Sequence, residues 1–328
     1  MKRRSALVGA LAVLFILLEI LYLASEGPRF EGKPLKKWLR QLGPAEFYHE
    51  RRRNAKRVFN HLGTNTPVFV LESIEDLNRN VSRQSTEQFR ATLAVRAIGS
   101  NAVPPLIRNL KAKDSRAKVK IIHVLSSHGF PKLEDSLAFH RRGTAIIAFS
   151  VLGSQATSAL PELADMIKTG GEDAYSAITA MAYIGSNSVP FLTAALTNGD
   201  PNVRAWAAIM LDEASPIGAL ASKADEVVPF LLERLGDKDS NVRGAALVTL
   251  GMIGRKPEIV VPVLRNCLSD QDSTIRSAAV ISLRRYGRGA LPAIDRLKQL
   301  QSDPHSQVRA EVKRALKTID PGTPAANR

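Results

Sequence analysis

A proline framed by apolar residues returns eight times along the chain, as TPVF at Thr66, VPPL at Val103, FPKL at Phe130, LPEL at Leu160, VPFL at Val189, VPFL at Val228, VPVL at Val261 and LPAI at Leu291. From Pro67 to Pro292 the spacing averages about 32 residues, which is the period of a stacked supersecondary unit. A second marker keeps the same step: a basic residue stands eleven positions before a glycine at Arg52/Gly63, Lys118/Gly129, Arg142/Gly153, Arg243/Gly254 and Arg276/Gly287. Two markers that share one period leave little room for a single globular core, because a short unit can bury its apolar face only against copies of itself.

Residues 237–268 show what one unit is. Val242, Ala246, Leu250 and Ile253 recur at helical offsets and line one face. Asp239 precedes them as an N-cap, and Gly251 and Gly254 stand where the first helix is expected to stop, since glycine accepts the positive φ of a helix end. A second helix follows, with Pro262 expected in its first turn and Val261, Leu264 and Leu268 as its apolar face. The unit is a helical hairpin.

The segments DPNVRAWAA at Asp200, DSNVRGAAL at Asp239 and DSTIRSAAV at Asp272 resemble the HEAT-repeat family, in particular the short bacterial HEAT-like repeats also found in phycobilin lyases. The resemblance implies an all-α fold, an α-solenoid (HEAT/armadillo-type superhelix) of about eight helix pairs, over residues 46–319. It also implies a role for Asp200, Arg204, Asp239, Arg243, Asp272 and Arg276, which recur as i, i+4 pairs: a structural ladder linking successive repeats. A carboxylate copied once per repeat suits such a ladder better than catalysis.

Ahead of the repeats, residues 1–24 begin with Lys2, Arg3 and Arg4 and continue into an apolar run from Ala6 to Ala24 broken only by Glu19. At 1.5 Å per residue its nineteen residues span about 28 Å, enough for the hydrocarbon core of a bilayer. The run is expected to be an uncleaved signal anchor, a single N-terminal transmembrane helix; a cleaved signal peptide is the rival, and no A-x-A-like site follows it. Basic residues flank both ends, so the positive-inside comparison is nearly balanced. The basic start followed at once by an apolar run favours an inner-membrane, single-pass protein with the solenoid outside the cytoplasm, in the periplasm.

Residues 25–45 are basic and amphipathic: Leu35, Trp38, Leu39 and Leu42 share a helical face within Phe30–Leu42. That segment reads either as an interfacial helix on anionic headgroups or as a cap over the first repeat. Of the net charge of +15, residues 1–130 hold +13, and Arg51, Arg52, Arg53, Lys56 and Arg57 form its densest cluster, a candidate patch for anionic lipid or an acidic partner. Polar interruptions at 78–86 and 215–225 are expected loops, the helix at 304–319 an unpaired cap, and 320–328 a disordered tail.

Nothing in the chain has the spacing of an active site. The six histidines form no metal-binding pair, there is no nucleophile elbow and no phosphate-binding glycine loop, and the single Cys267, on an apolar helical face, is expected to be a buried structural thiol. No cofactor is expected, and the chain is read as non-enzymatic. Four residues beyond each marker proline stand Leu71, Arg108, Asp135, Asp165, Ala194, Glu233, Asn266 and Arg296, a column of mixed sign. A groove that tracks a phosphate backbone is basic along its length. This column points instead to a protein or peptide partner, with Arg108, Glu233 and Arg296 as candidate contacts. The expected function is a membrane-tethered scaffold or adaptor. The alternatives are a nucleic-acid binder using the basic N-terminal half and, third, a HEAT-like lyase.

Overall fold

The computed structural model describes residues 28–42, 86–128, 137–211 and 223–321, with side chains from Arg90 onward in the second stretch. The apolar run at 6–24, the basic cluster at 51–57, and the markers at Pro67 and Pro131 fall outside them. The described residues are overwhelmingly helical, and they fall into two compact units.

The first unit holds described residues 28–42, 86–128 and 137–162. It opens on a two-residue antiparallel ladder, Arg29–Phe30 against Lys33–Pro34, turned through Glu31 and Gly32, both at positive φ. The helix expected from Phe30 therefore begins only at Leu35 (α1, Leu35–Gln41), because Pro34 fixes an extended approach and then sits at its N-cap. Leu35, Trp38 and Leu39 are buried, the Trp38 ring stands edge-on to Phe30, and its indole N–H donates to the Phe30 carbonyl at 3.2 Å. Helix α1 packs on α2 (Thr86–Ile98). The apolar face that could have lain on a membrane is covered by the chain itself, leaving Lys37 and Arg40 exposed.

Helices α3 (Val103–Leu110), α4 (Arg116–Ser127) and α5 (Ala138–Leu152) follow. α3 packs directly on α5, while α4 buries only Ile122 and Leu125. The stretch 138–168 is long and apolar enough to cross a membrane by length and composition, but half of it is buried. It is also interrupted at Gly153, whose φ of 53° ends α5 before α6 (Leu160–Lys168) begins.

The second unit, described over 163–211 and 223–321, is the regular stack. Its first helices are α7 (Gly171–Ile184), α9 (Pro201–Met210), α11 (Ser240–Ile253), α13 (Ser273–Arg285) and α15 (Ser306–Ile319), each packed on the next. Its second helices are α8 (Val189–Ala195), α10 (Ala224–Arg234), α12 (Pro257–Cys267) and the short α14 (Ile294–Gln299). Asp200, Asp239 and Asp272 cap α9, α11 and α13 by accepting backbone N–H bonds, and Asp239 takes two, from Asn241 at 2.8 Å and Val242 at 3.3 Å.

Two details differ from expectation. Pro262 lies inside α12, which starts at Pro257, and Pro229 likewise lies inside α10; each lacks the N–H that would bond the carbonyl four residues back, and for Pro229 that carbonyl, of Asp225, accepts from Lys256 Nζ at 3.2 Å instead. Gly251 does not end α11; Gly254 does, at φ 63°. Gly251 is buried where α11 meets α13, and a Cβ there would come within 2.8 Å of Ser282 Cα. Hydroxyl and indole donors bridge the same row of first helices: Trp206 Nε1 to Thr179 Oγ1 (3.0 Å), Thr249 to the Ala208 carbonyl (2.9 Å) and Ser282 to the Leu247 carbonyl (2.7 Å).

Candidate partner-binding face

In the second unit the first helices that lie between two others are largely buried, whereas α15 keeps one exposed side. From Ser176 to Ile184 every residue of α7 is buried, and α13 is buried continuously from Ile275 to Leu283. Such burial is possible because many of these positions are alanine, which lets helices approach closely. The second helices bury one stripe each, Val227, Val228 and Leu231 on α10 and Val260, Val261 and Leu264 on α12. Their opposite stripe faces solvent, as amphipathic periodicity requires.

That outward stripe carries the mixed column. Asp165, Ala194, Glu233 and Asn266 are exposed, and Arg296 is half-buried, bonded through Nη1 to Gln299 at 2.7 Å and through Nη2 to Ser269 at 2.9 Å. Glu233 meets the guanidinium of its neighbour Arg234 at 3.3 Å. Arg108 is exposed on α3, in the first unit. Sequence reasoning missed Phe230 and Ile259, large apolar side chains on α10 and α12 that are 44% and 48% exposed. A signal for them exists: each sits on the polar side of its helix, where burial gives no reason for an apolar residue. Glu226 and Glu258 stand exposed on the same two helices.

The arginines expected to form a ladder do so with other carboxylates than the i, i+4 pairs. Arg204 makes a two-pronged contact with Asp237, Nε to Oδ2 and Nη2 to Oδ1, both 2.8 Å, and Arg276 makes the same contact with Asp303 at 2.8 and 3.0 Å. Arg243 approaches Asp270 at 3.3 Å. The remaining nitrogen, Nη1, donates to two carbonyls of the loop before its own helix, as Arg276 does to Asp270 and Gln271 at 2.8 and 3.1 Å. Each acceptor aspartate also takes the N–H two residues on: Asp239 to Asp237, Asp272 to Asp270 and His305 to Asp303. Asp200, Asp239 and Asp272 are therefore caps, and the inter-repeat links run through Asp237, Asp270 and Asp303.

These contacts set the charges. The hydrogen bond from Arg204 holds the Asp237 carboxyl below its ordinary range, against a desolvation that raises it. For Asp303 burial is the largest influence and pushes upward, but the bonds from Arg276 and the His305 N–H together outweigh it, and the net shift is downward. Cys267 is half-buried, not buried as expected, and burial pushes its thiol up to about 11, which keeps it protonated near neutral pH. Burial likewise raises the Tyr286 hydroxyl, which donates to the Leu250 carbonyl at 3.0 Å. Among the described residues, no three of histidine, cysteine, aspartate and glutamate gather as metal ligands would.

Residues 214–284 match a family described as HEAT repeats, a span that takes in α10, α11, α12 and nearly all of α13. No curated protein matches the sequence. Among solved structures the chain is similar to the CpcE–CpcF complex of phycocyanin lyase from Nostoc sp. PCC7120, at 24% identity and a TM-score of 0.41 over 48% of this chain and 98% of that one. It is similar to a designed armadillo repeat protein in complex with the peptide (KR)4, at 16% identity and a TM-score of 0.38 over 66% and 99%. A third similarity is to Cex1p, at 14% identity and a TM-score of 0.41 over 82% and 53%.

Proposed function

We propose that this HEAT-repeat chain is a non-catalytic scaffold, held at the membrane by residues 6–24 with its repeats outside the cytoplasm, which binds a polypeptide along the face made by its second helices. The observation that carries the reading is the outward stripe of α10 and α12, where Phe230 and Ile259 stand exposed among Glu226, Glu233, Glu258 and Asn266. Exposed apolar anchors within a mixed polar surround are what a protein interface uses. A polyanion groove needs a run of positive charge, and this face does not supply one.

A photoactivatable crosslinking residue placed in cells at Glu233, Arg296 or Arg108 is expected to capture protein from the first two positions, which share the second-helix row. Replacing Phe230 by alanine should reduce capture from Glu233 several-fold, as loss of a central anchor does. Nucleic acid in the captured material, or capture only from the opposite face, would overturn the assignment.

The anchor is tested separately. A reporter enzyme active only outside the cytoplasm, fused after Arg328, is expected to be active, and the full-length chain should stay with membranes through a high-salt wash. Release by salt alone would mean that residues 6–24 do not span.

A further inference from the structure

We infer that Arg309, at the start of α15, is a preformed receptor for a carboxylate of a second polypeptide, specifically an aspartate in a turn that opens a helix. Its Nη1 donates to the carbonyls of Asp303 and Pro304 at 2.7 and 2.9 Å, the same two-carbonyl clamp that fixes Arg204, Arg243 and Arg276. In those three the clamp aims the Nε–Nη2 edge at an aspartate of the next turn, Asp237, Asp270 or Asp303. At Arg309 the clamp is built and, among the described residues, no carboxylate meets that edge. The chain thus displays the site's ligand three times over, as an aspartate whose carboxylate also accepts the N–H two residues on.

The rest of α15 argues for an acidic occupant. Laid on α13 with Arg309 against Arg276, the positions that pack outward as Ser277, Val280, Ile281 and Arg284 become Ala310, Lys313, Arg314 and Lys317, all exposed. A surface that in α13 receives the next helix is here edged with Lys313 and Lys317, Arg314 being paired with Glu311 of its own helix, so a partner that docks there must bring negative charge. The chain's own neighbouring acid does not serve: Asp320 lies eleven residues along from Arg309, about 16 Å away. Asn198 supplies the contrast. It occupies the acceptor place before α9, accepting the Asp200 N–H at 2.9 Å, and the preceding first helix α7 carries Ala174 where the others carry arginine. Where the arginine is missing the chain has dispensed with the charge of its acceptor, which makes an arginine kept without an acceptor a feature to be explained.

The test uses the full-length protein labelled at arginine Nε with ¹⁵N, the Arg309 signal being assigned by its loss in Arg309→Lys. The probe is the capped hexapeptide Ser-Asp-Gln-Asp-Ser-Thr, copied from residues 269–274, which carries the aspartate turn found before α13. The expected result is a saturating shift of the Arg309 signal, with binding weakened about tenfold when the first aspartate of the peptide is made asparagine, in line with loss of a charge-assisted two-pronged bond. Arg309→Lys should weaken the peptide comparably, and Lys313→Gln should weaken it less. Equal binding of the aspartate and asparagine peptides overturns the inference without altering the protein at all. So does an Arg309 signal that already coincides with those of Arg204 and Arg276 before peptide is added, since a carboxylate of this chain would then hold it. Because Arg309 lies on α15 and not on the second-helix face, either outcome is independent of capture from Glu233.

Discussion

Asp303→Ala is expected to lower the unfolding free energy of the second unit by about 3–5 kcal/mol, the usual consequence of leaving a buried charge without its partner. The Asp303 side chain is 3% exposed and that of Arg276 10%, so water cannot replace the lost carboxylate. The same substitution removes the acceptor for the His305 N–H at the start of α15. The readout is specific, because the chain has two tryptophans and Trp206, buried in α9, belongs to the second unit while Trp38 belongs to the first. Urea unfolding followed by Trp206 fluorescence in a Trp38→Phe background should show the midpoint fall. Replacing both partners, Arg276→Met with Asp303→Leu, should cost less than the sum of the single changes, since neither charge is then stranded. The pH dependence follows from the direction of the shift. Asp303 and Asp237 have folded pKa values held below their ordinary ones. Their contribution is therefore complete above the unfolded value of about 4 and is lost as pH falls below it through the folded values. Wild type and Asp303→Ala should converge in that acid window, and an unchanged gap there would contradict the ion pair as its cause.

Gly251→Val should destabilise the same unit by about 3 kcal/mol, the upper part of the range for overpacking a close helix contact. An added Cβ would stand 2.8 Å from Ser282 Cα, Cβ and Oγ, and the first of these is backbone, which can yield only if α13 moves away from α11. Movement would stretch the Ser282 hydroxyl bond to the Leu247 carbonyl, now 2.7 Å. Gly251→Ala should cost less, because the smaller side chain brings a gain in helix propensity of up to about 1 kcal/mol that partly offsets the collision. Adding Ser282→Gly should recover part of the loss in either variant. If Gly251→Ala were stabilising, the glycine would be an ordinary helix interior position and the close approach of α11 to α13 would be wrong.

The candidate face is half legible in the sequence. Counting four residues beyond each marker proline places Asp165, Ala194, Glu233 and Asn266 on one row, and they do face solvent, because position within an amphipathic helix fixes which side looks out. Phe230 and Ile259 escape that count for the converse reason: apolar residues invite assignment to a core, and only the buried stripe of Val227, Val228 and Leu231 shows that Phe230 is on the other side. In the first unit α3 packs on α5, and that pairing depends on surfaces far apart in sequence.

What the sequence determined by itself was local and repeated: helices from the spacing of apolar residues, their starts from Asp200, Asp239 and Asp272, their ends from glycines such as Gly254, and the recurrence of the whole hairpin. Each of these is settled within one or two helical turns by backbone geometry and capping, so a single chain states it outright. The tertiary structure alone decided which aspartate answers which arginine. Arg204 has Asp200 four residues before it and Asp237 thirty-three residues after it, both at plausible positions, and it bonds the distant one at 2.8 Å. The near aspartate is already engaged by the backbone N–H and side-chain amide of Asn202 at the helix start, and stacking brings the far one alongside. The same stacking, not any propensity of glycine, placed Gly251 against the backbone of Ser282.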